Sequence, residues 1–168
     1  PLRMLCAEGK TRWMNISAAR IQWNGKPSVV LIGSDITAVK KEQEELQKTK
    51  NLLEKVFNSL DEAVFLIDPE DRKIIACNPA VEAIFGYAPE ELIGRCTRLL
   101  HIDQVHYQRF GEEGEAVLGE KRKFKSKYRM RCKNGREIIT EHTISAVDEL
   151  LGWSKGVISV VKDITEKE

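Results

Sequence analysis

The side chains with the widest chemical reach in this chain are three histidines and four cysteines. An imidazole can ligate a metal, carry a proton near neutrality, or hydrogen-bond in either direction. A thiolate can attack, bind a metal or form a disulfide. Cys6, Cys77, Cys96 and Cys132 lie far apart and form no Cys-x-x-Cys pair. That spacing argues against zinc and leaves four reduced thiols as the expected state. No Gly-rich phosphate loop and no obvious nucleophile–base pair is present, so no catalytic constellation is expected. The basic run KFKSKYRMRCKNG, Lys123 to Gly135, is the other candidate, with Lys123, Lys125, Lys127, Arg129 and Arg131 at every second position. A nucleic-acid grip would interleave aromatic residues on the charged face, and none is there. The chain as a whole carries 27 basic and 26 acidic residues, a net charge of +1, which is unlike a general polyanion binder.

Strict alternation is instead the period of a strand with one wet face. Asn134-Gly135 then reads as a hairpin turn, since both residues tolerate positive φ. The following strand, Glu137 to Val147, places Ile138, Thr140, His142, Ile144 and Ala146 on one face. A second turn is expected over Gly152 to Gly156, and a third strand over Val157 to Val161, ending at Asp163.

This three-strand unit occurs twice. RMLCAEGK, from Arg3, and RMRCKNGR, from Arg129, share R-M-x-C-x-x-G-basic at an offset of 126 residues. Ile16-Ser17-Ala18 matches Ile144-Ser145-Ala146, and Asp35-Ile36-Thr37 matches Asp163-Ile164-Thr165, both at 128. On that spacing the first-copy partner of His142 is Met14. The first copy, residues 1–37, holds only the three strands, which cannot close a core alone. Its face carrying Met14, Ile16 and Ala18 is expected to need a cover. The chain begins at Pro1 and is expected to be a fragment of a longer protein. Between the copies, residues 38–60 lack Gly and Pro and are rich in Glu, Lys, Gln and Leu, which predicts a helix. Val39, Leu46, Leu53 and Leu60 recur every seven residues, with Glu42, Thr49 and Val56 at the weaker seam position. The helix could pack on its own domain or pair with a second copy. The narrow apolar stripe favours a parallel two-chain coiled coil.

In the second copy, residues 61–168, Ala63 to Asp68 and Lys73 to Cys77 read as paired strands. Asn78-Pro79 reads as a helix start, with Asn as N-cap and Gly86 as the stop. A second helix starts at Pro89 and ends by Gly94, and Asp103 caps a longer one running to about Gly119. The run NPAVEAIFGYAPEELIGR, Asn78 to Arg95, together with the twice-used Asp-Ile-Thr, resembles the PAS sensor-domain family. The resemblance covers Lys55 to Thr165 as a whole domain and residues 1–37 as the end of another. It implies an α+β fold: a five-stranded antiparallel sheet with short helices on one face, enclosing a cavity for a ligand or cofactor. It also implies that Asp35, Thr37, Asp163 and Thr165 relay signals to whatever follows each copy.

The fold does not specify the ligand. Light-sensing relatives carry their reactive Cys in G-R-N-C-R-F-L-Q. Here GRCTRLLH, Gly94 to His101, puts Cys96 one position early and Thr97 at the adduct position, so flavin photochemistry is not expected. Haem-binding relatives use a His on the long helix, which makes His106 the candidate iron ligand, though the residues around it match that pattern poorly. A small organic or ionic ligand, or none, is the remaining reading. Its candidate contacts are His142, Tyr128, Met130, Cys132, Ile138 and Asn78. His142 is either a core histidine bonded to a neighbour or a pocket residue. The functional expectation is a non-enzymatic, cytoplasmic sensing module of a multi-domain regulator, such as a sensor kinase. It would form a homodimer through the linker helix and the PAS surfaces and act with other domains of its parent, without nucleic-acid binding or membrane insertion. A ligand-free dimerisation scaffold and a haem-based redox or gas sensor are the alternatives.

Overall fold

A computed structural model gives the structure and describes residues 1–7, 9–120, 123–148 and 152–167. The chain divides into two compact units, Pro1–Glu54 and Lys55–Glu168. The first holds β1 (Leu2–Leu5), β2 (Thr11–Trp23) and β3 (Lys26–Asp35), an antiparallel sheet in the order β1-β2-β3. β2 and β3 turn tightly at Asn24-Gly25, with φ of 50° and 74°, the left-handed pair that a two-residue hairpin loop needs. Helix α1 (Thr37–Asn58) follows and contains the unit boundary.

The second unit orders its strands β5-β4-β8-β7-β6, all antiparallel. Here β4 is Ala63–Ile67, β5 Ile74–Cys77, β6 Lys123–Arg131, β7 Glu137–Asp148 and β8 Gly152–Asp163. Helices α2 (Ala80–Phe85), α3 (Pro89–Leu92) and α4 (Gln104–Glu120), with a 3-10 turn over Thr97–Leu100, supply its helical elements. The core joins Phe65, Ile74, Val81, Phe85, Leu92, Leu100, Met130 and Ile138. The predicted parity of β7 holds: Ile138, Thr140, His142 and Ile144 are buried. The five alternating basic residues of β6 are exposed, and Lys125 pairs with Glu141 across the strands at 3.0 Å. Their alternation is the wet side of a strand.

Several local expectations differ from the structure. Asn78 does not cap α2; Pro79 takes the cap position and no side chain bonds there. In the Cys132–Gly135 turn only Gly135 has positive φ, 84°. Asn134 instead accepts from the Arg136 N–H at 3.0 Å, closing the turn through its side chain. The expected turn over Gly152–Gly156 is strand: Gly152 pairs with Asp148, and the pairing shifts register between Ala146 and Asp148. Gly156, with φ 131°, packs its bare Cα against Val147, where a Cβ would stand 3.3 Å from Cγ2. The glycine that looked like a turn residue serves an irregular strand.

The alignment of the two copies also needs correction. In the second, Ile139 N–H donates to Thr165 Oγ1 at 3.0 Å and Ile139 O accepts from Ile164 N–H at 2.9 Å. In the first, Trp13 N–H donates to Thr37 Oγ1 at 2.9 Å and Trp13 O accepts from Ile36 N–H at 2.8 Å. Trp13 is therefore the counterpart of Ile139. The 126-residue offset runs through β2 and β7, and the two extra residues fall in the β7–β8 hairpin. The partner of His142 is Ile16, not Met14, and Met14 answers to Thr140. The Ile-Ser-Ala match two residues away is coincidental.

Candidate functional site

The candidate site is the inside of the second unit. β7 turns Thr140 and His142 inward, and β6 lies beside them with Tyr128 opposite Thr140 and Ser126 opposite His142. The 3-10 turn delivers Thr97 and Leu100, its following residue is His101, and α4 delivers Phe110. Thr97, Leu100, His101, Phe110 and His142, with Phe65, Ile67, Met130, Ser159 and Val161, line a partly open void of about 30 Å³. A second void of about 50 Å³ shares Ile67, Thr97, Phe110 and Ser159 and reaches Asp68 and Arg72. The Phe110 ring meets His101 at 5.2 Å, His142 at 5.0 Å and Tyr128 at 4.7 Å between centroids, each edge to face.

Two polar atoms stand out in this apolar setting. Nδ1 of His101 and Nδ1 of His142 are buried without a hydrogen-bond partner among the described residues. His142 is 2% exposed and His101 5%. Burial drives both imidazoles down from the ordinary 6.5, His101 to about 4 with the Arg72 charge adding to the effect, and His142 to about 3 with His101 adding to it. Both rings are neutral at pH 7. Tyr128 donates its hydroxyl to Glu113. Burial, then that carboxylate, holds its phenol up to about 12.

Of the candidate contacts, His142 and Met130 line the smaller void, whereas Tyr128 does not line it and meets the His142 ring edge to face at 6.0 Å. Ile138 is core. Cys132 donates its thiol to the Ile84 carbonyl at 3.3 Å and lines an outer groove. Asn78 lies outside both voids, with its amide bonded to backbone at Val64, Phe57 and Glu62. His106 is not brought to the cavity: its Nδ1 folds back to Asp103 at 2.9 Å on the first turn of α4. The two voids are also far smaller than the ~300–1,000 Å³ of ordinary cofactor pockets. The residues present therefore do not fit a haem held by His106. Cys96 contacts the Tyr107 hydroxyl at 3.3 Å. No cluster of three or more His, Cys, Asp or Glu side chains suited to a metal occurs among the described residues.

The sequence reading missed His101, Phe110 and Arg72. Leu99-Leu100-His101 on an apolar turn was the available signal for the first. Arg72 had none, because its position depends on a glycine far along the chain. Its Nη1 donates to the Tyr107 carbonyl at 2.8 Å, and its guanidinium lies 4.4 Å from the Tyr107 ring centroid. A Cβ on Gly111 would overlap that guanidinium. Gly111→Ala is therefore expected to evict Arg72 and cost about 1–2 kcal/mol in urea unfolding, through the lost hydrogen bond and cation–π contact. With Arg72→Ala already in place, the same change should become neutral or stabilise by up to about 1 kcal/mol, since Ala favours a helix over Gly. An equal cost in both backgrounds would show that the notch does not hold the arginine.

The two Asp-Ile-Thr segments share one geometry. Asp35 Oδ1 accepts from Thr37 N–H and Oγ1–H at 2.9 and 2.6 Å. Asp163 does the same for Thr165 at 2.9 and 2.5 Å. Each threonine then takes an N–H from the neighbouring strand, so the exit from the last strand is tied to the sheet.

Comparisons with known proteins agree with this architecture. Residues 61–166 match the family model described as PAS domain. The chain is 28% identical over 142 residues, 80% of its length, to the probable diguanylate cyclase DgcE of Escherichia coli. It is 24% identical over 165 residues, 95% of its length, to the oxygen sensor protein DosP of the same organism. It spans only 12% and 19% of those two proteins. The crystal structure of a PAS domain from Colwellia psychrerythraea superposes with a TM-score of 0.63 at 22% identity, covering 72% of this chain and 98% of that one. The family match over residues 61–166 and the sheet order β5-β4-β8-β7-β6 agree: the chain belongs to the PAS domain family.

Proposed function

We propose that this chain is a cytoplasmic sensing and relay segment of a larger signalling protein. The second unit takes up a small ligand in its cavity, and α1 and the two Asp-x-Thr exits carry the result to other domains. The observation that carries this reading is the pair of buried imidazole nitrogens, of His101 and His142, that lack a partner among the described residues. Native cores rarely leave such atoms alone without a reason. Similarity to segments of a cyclase and an oxygen sensor supports a parent that couples sensing to an output. Among the described residues no helix is long and apolar enough to cross a membrane.

The relay runs through a homodimer of α1 helices. Leu46 and Leu53 are 71% and 64% exposed, and α1 buries none of its residues, which leaves its seam open for a second copy. Glutamates at Leu46 and Leu53 are expected to convert a dimer to monomer in sedimentation equilibrium, because each leucine forfeits about 1.5–3 kcal/mol of burial. An unchanged mass would remove the coiled coil from the relay. The rival reading, a scaffold that binds nothing, draws support from the small voids. A native mass spectrum separates the two: a small mass retained by the folded protein and lost on denaturation supports sensing. An empty protein whose α1 exchange ignores every added small molecule supports the scaffold.

A further inference from the structure

The proton inventory around His142 limits what the cavity can accept. Thr140 Oγ1 has one hydrogen and gives it to the Tyr128 carbonyl at 3.0 Å. Both contacts are hydrogen bonds together only in the tautomer whose Nε2–H donates to the hydroxyl oxygen at 2.8 Å, and that is the tautomer we assign to His142. A neutral imidazole has only that one N–H. Nδ1 of His142 is therefore a bare lone pair, buried and unpartnered. It can accept a hydrogen bond and cannot give one.

Charge narrows the occupant. Among the described residues, none lining the smaller void is a carboxylate. The Asp68 carboxylate beside the larger one accepts from the Glu70 N–H at 2.9 Å. Of the fixed charges that act on His101, positive Arg72 weighs more than the Asp103 carboxylate. A cation in the smaller void, where the His142 ring sits, would thus lose its water without gaining a counter-charge in contact. An anion would face the His142 lone pair head on. A neutral molecule with an O–H or N–H meets neither cost. Size narrows it further: on the measure that gives about 30 and 50 Å³ here, a single water needs roughly 10–15 Å³. The occupant has only a few non-hydrogen atoms. The shared walls are apolar at Ile67 and Phe110 and hydroxylic at Thr97 and Ser159, which suits a short carbon skeleton carrying one or two donors.

We propose that the cavity binds a small neutral hydrogen-bond donor, of the class of short alcohols, diols and primary amides, which donates to Nδ1 of His142 and packs its carbon atoms on Phe110. Nδ1 of His101, across the Phe110 ring, is the second polar contact available to a two-headed member of the class. The proposal rests on the reading of this cavity as a ligand site and adds the chemistry of the ligand.

The test uses the whole 168-residue chain, labelled with nitrogen-15, and two probes of nearly one shape. 2-Propanol has a donor; acetone has only an acceptor. Imidazole nitrogen shifts report hydrogen bonding at Nδ1 directly. The expected result is a saturable shift of His142 Nδ1 with 2-propanol and none with acetone. His142→Ile, which installs the residue found at the equivalent position of the first unit, should weaken 2-propanol at least tenfold. Saturable binding of both probes with equal affinity would overturn the donor requirement while leaving a ligand cavity in place. No saturable shift with either probe, together with an Nδ1 shift already typical of a hydrogen-bonded nitrogen, would mean that water serves the lone pair and would overturn the proposal. If benzene or xenon also failed to enter, the ligand-site reading itself would fall.

Discussion

Between pH 7.5 and 5.0 the second unit is expected to lose roughly 4 kcal/mol of stability, about 2 kcal/mol for each of its two buried histidines. Both rings sit below their unfolded pKa, His101 at about 4 and His142 at about 3. Below pH 6.5 the unfolded chain takes up protons that the folded unit refuses. Stability from these groups is thus complete above 6.5 and declines as pH falls, by up to about 1.4 kcal/mol per unit for each ring. The decline stops for each ring once its folded pKa is passed. The groups around them do not reverse this. Arg72 and His106 disfavour a proton on His101, Asp103 favours it, and burial outweighs all three. Only burial and His101 act on His142. The lowered carboxylates of Glu91, Asp103 and Glu113 titrate below about 4.5 and belong to a separate, more acid window. Urea unfolding at half-unit pH steps, followed through slow-exchanging amides of β7 and β8, measures the slope. His142→Ile should halve it. A stability that stays flat from 7.5 to 5.0 would show that the rings are hydrated and that the cavity is open to water.

Alternation made the sheet legible before any coordinates. The period of two in β6 and β7 assigned inward and outward residues correctly from Lys125 to Ile144, because one face is dry and the other wet. The internal repeat marked where each three-strand segment turns and ends, because the R-M-x-C-x-x-G-basic and Asp-Ile-Thr signatures stand at the turn and strand end whose geometry requires them. What remained hidden is whatever depends on pairing between distant segments. Local identity at Ile-Ser-Ala outweighed a register that only the Trp13 and Ile139 hydrogen bonds reveal. Asn-Pro before a helix has the local chemistry of a cap, yet a buried strand N–H competes for the same amide and wins. His106 has the sequence position of a ligand, yet Asp103, three residues before it, takes the ring. His101 and Phe110 complete the cavity wall from a short turn and a helix whose approach to β7 no local pattern encodes. Within each element, then, residue types revealed which faces are inside. They did not reveal which inside atoms lack partners, and that is the property on which the site rests.

Replacing Asn78 by Ala is expected to cost the second unit about 3–4 kcal/mol and to loosen the last turn of α1. Asn78 is fully buried. Its Oδ1 accepts the Val64 N–H at 2.9 Å, while its own N–H donates to the Val64 carbonyl at 3.2 Å. The residue thus engages both backbone groups of Val64 and extends the β4–β5 ladder past Cys77. Its Nδ2 donates to the Glu62 carbonyl at 3.0 Å and to the Phe57 carbonyl at 3.2 Å. Phe57 lies in the final turn of α1, where carbonyls lack partners inside the helix. One side chain therefore fastens the end of the linker helix to the first strand of the sensing unit. Alanine leaves the Val64 N–H buried and unsatisfied and frees both carbonyls. Asn78→Asp separates the two functions: it keeps the acceptor for Val64 but sets a carboxylate against two carbonyl oxygens. Hydrogen exchange should then stay slow at Val64 and speed up at the amides around Ser59. A loss below 1 kcal/mol for alanine, with unchanged exchange at Ser59, would mean that the helix end is held by other contacts and that the cavity has no route to α1 through β4.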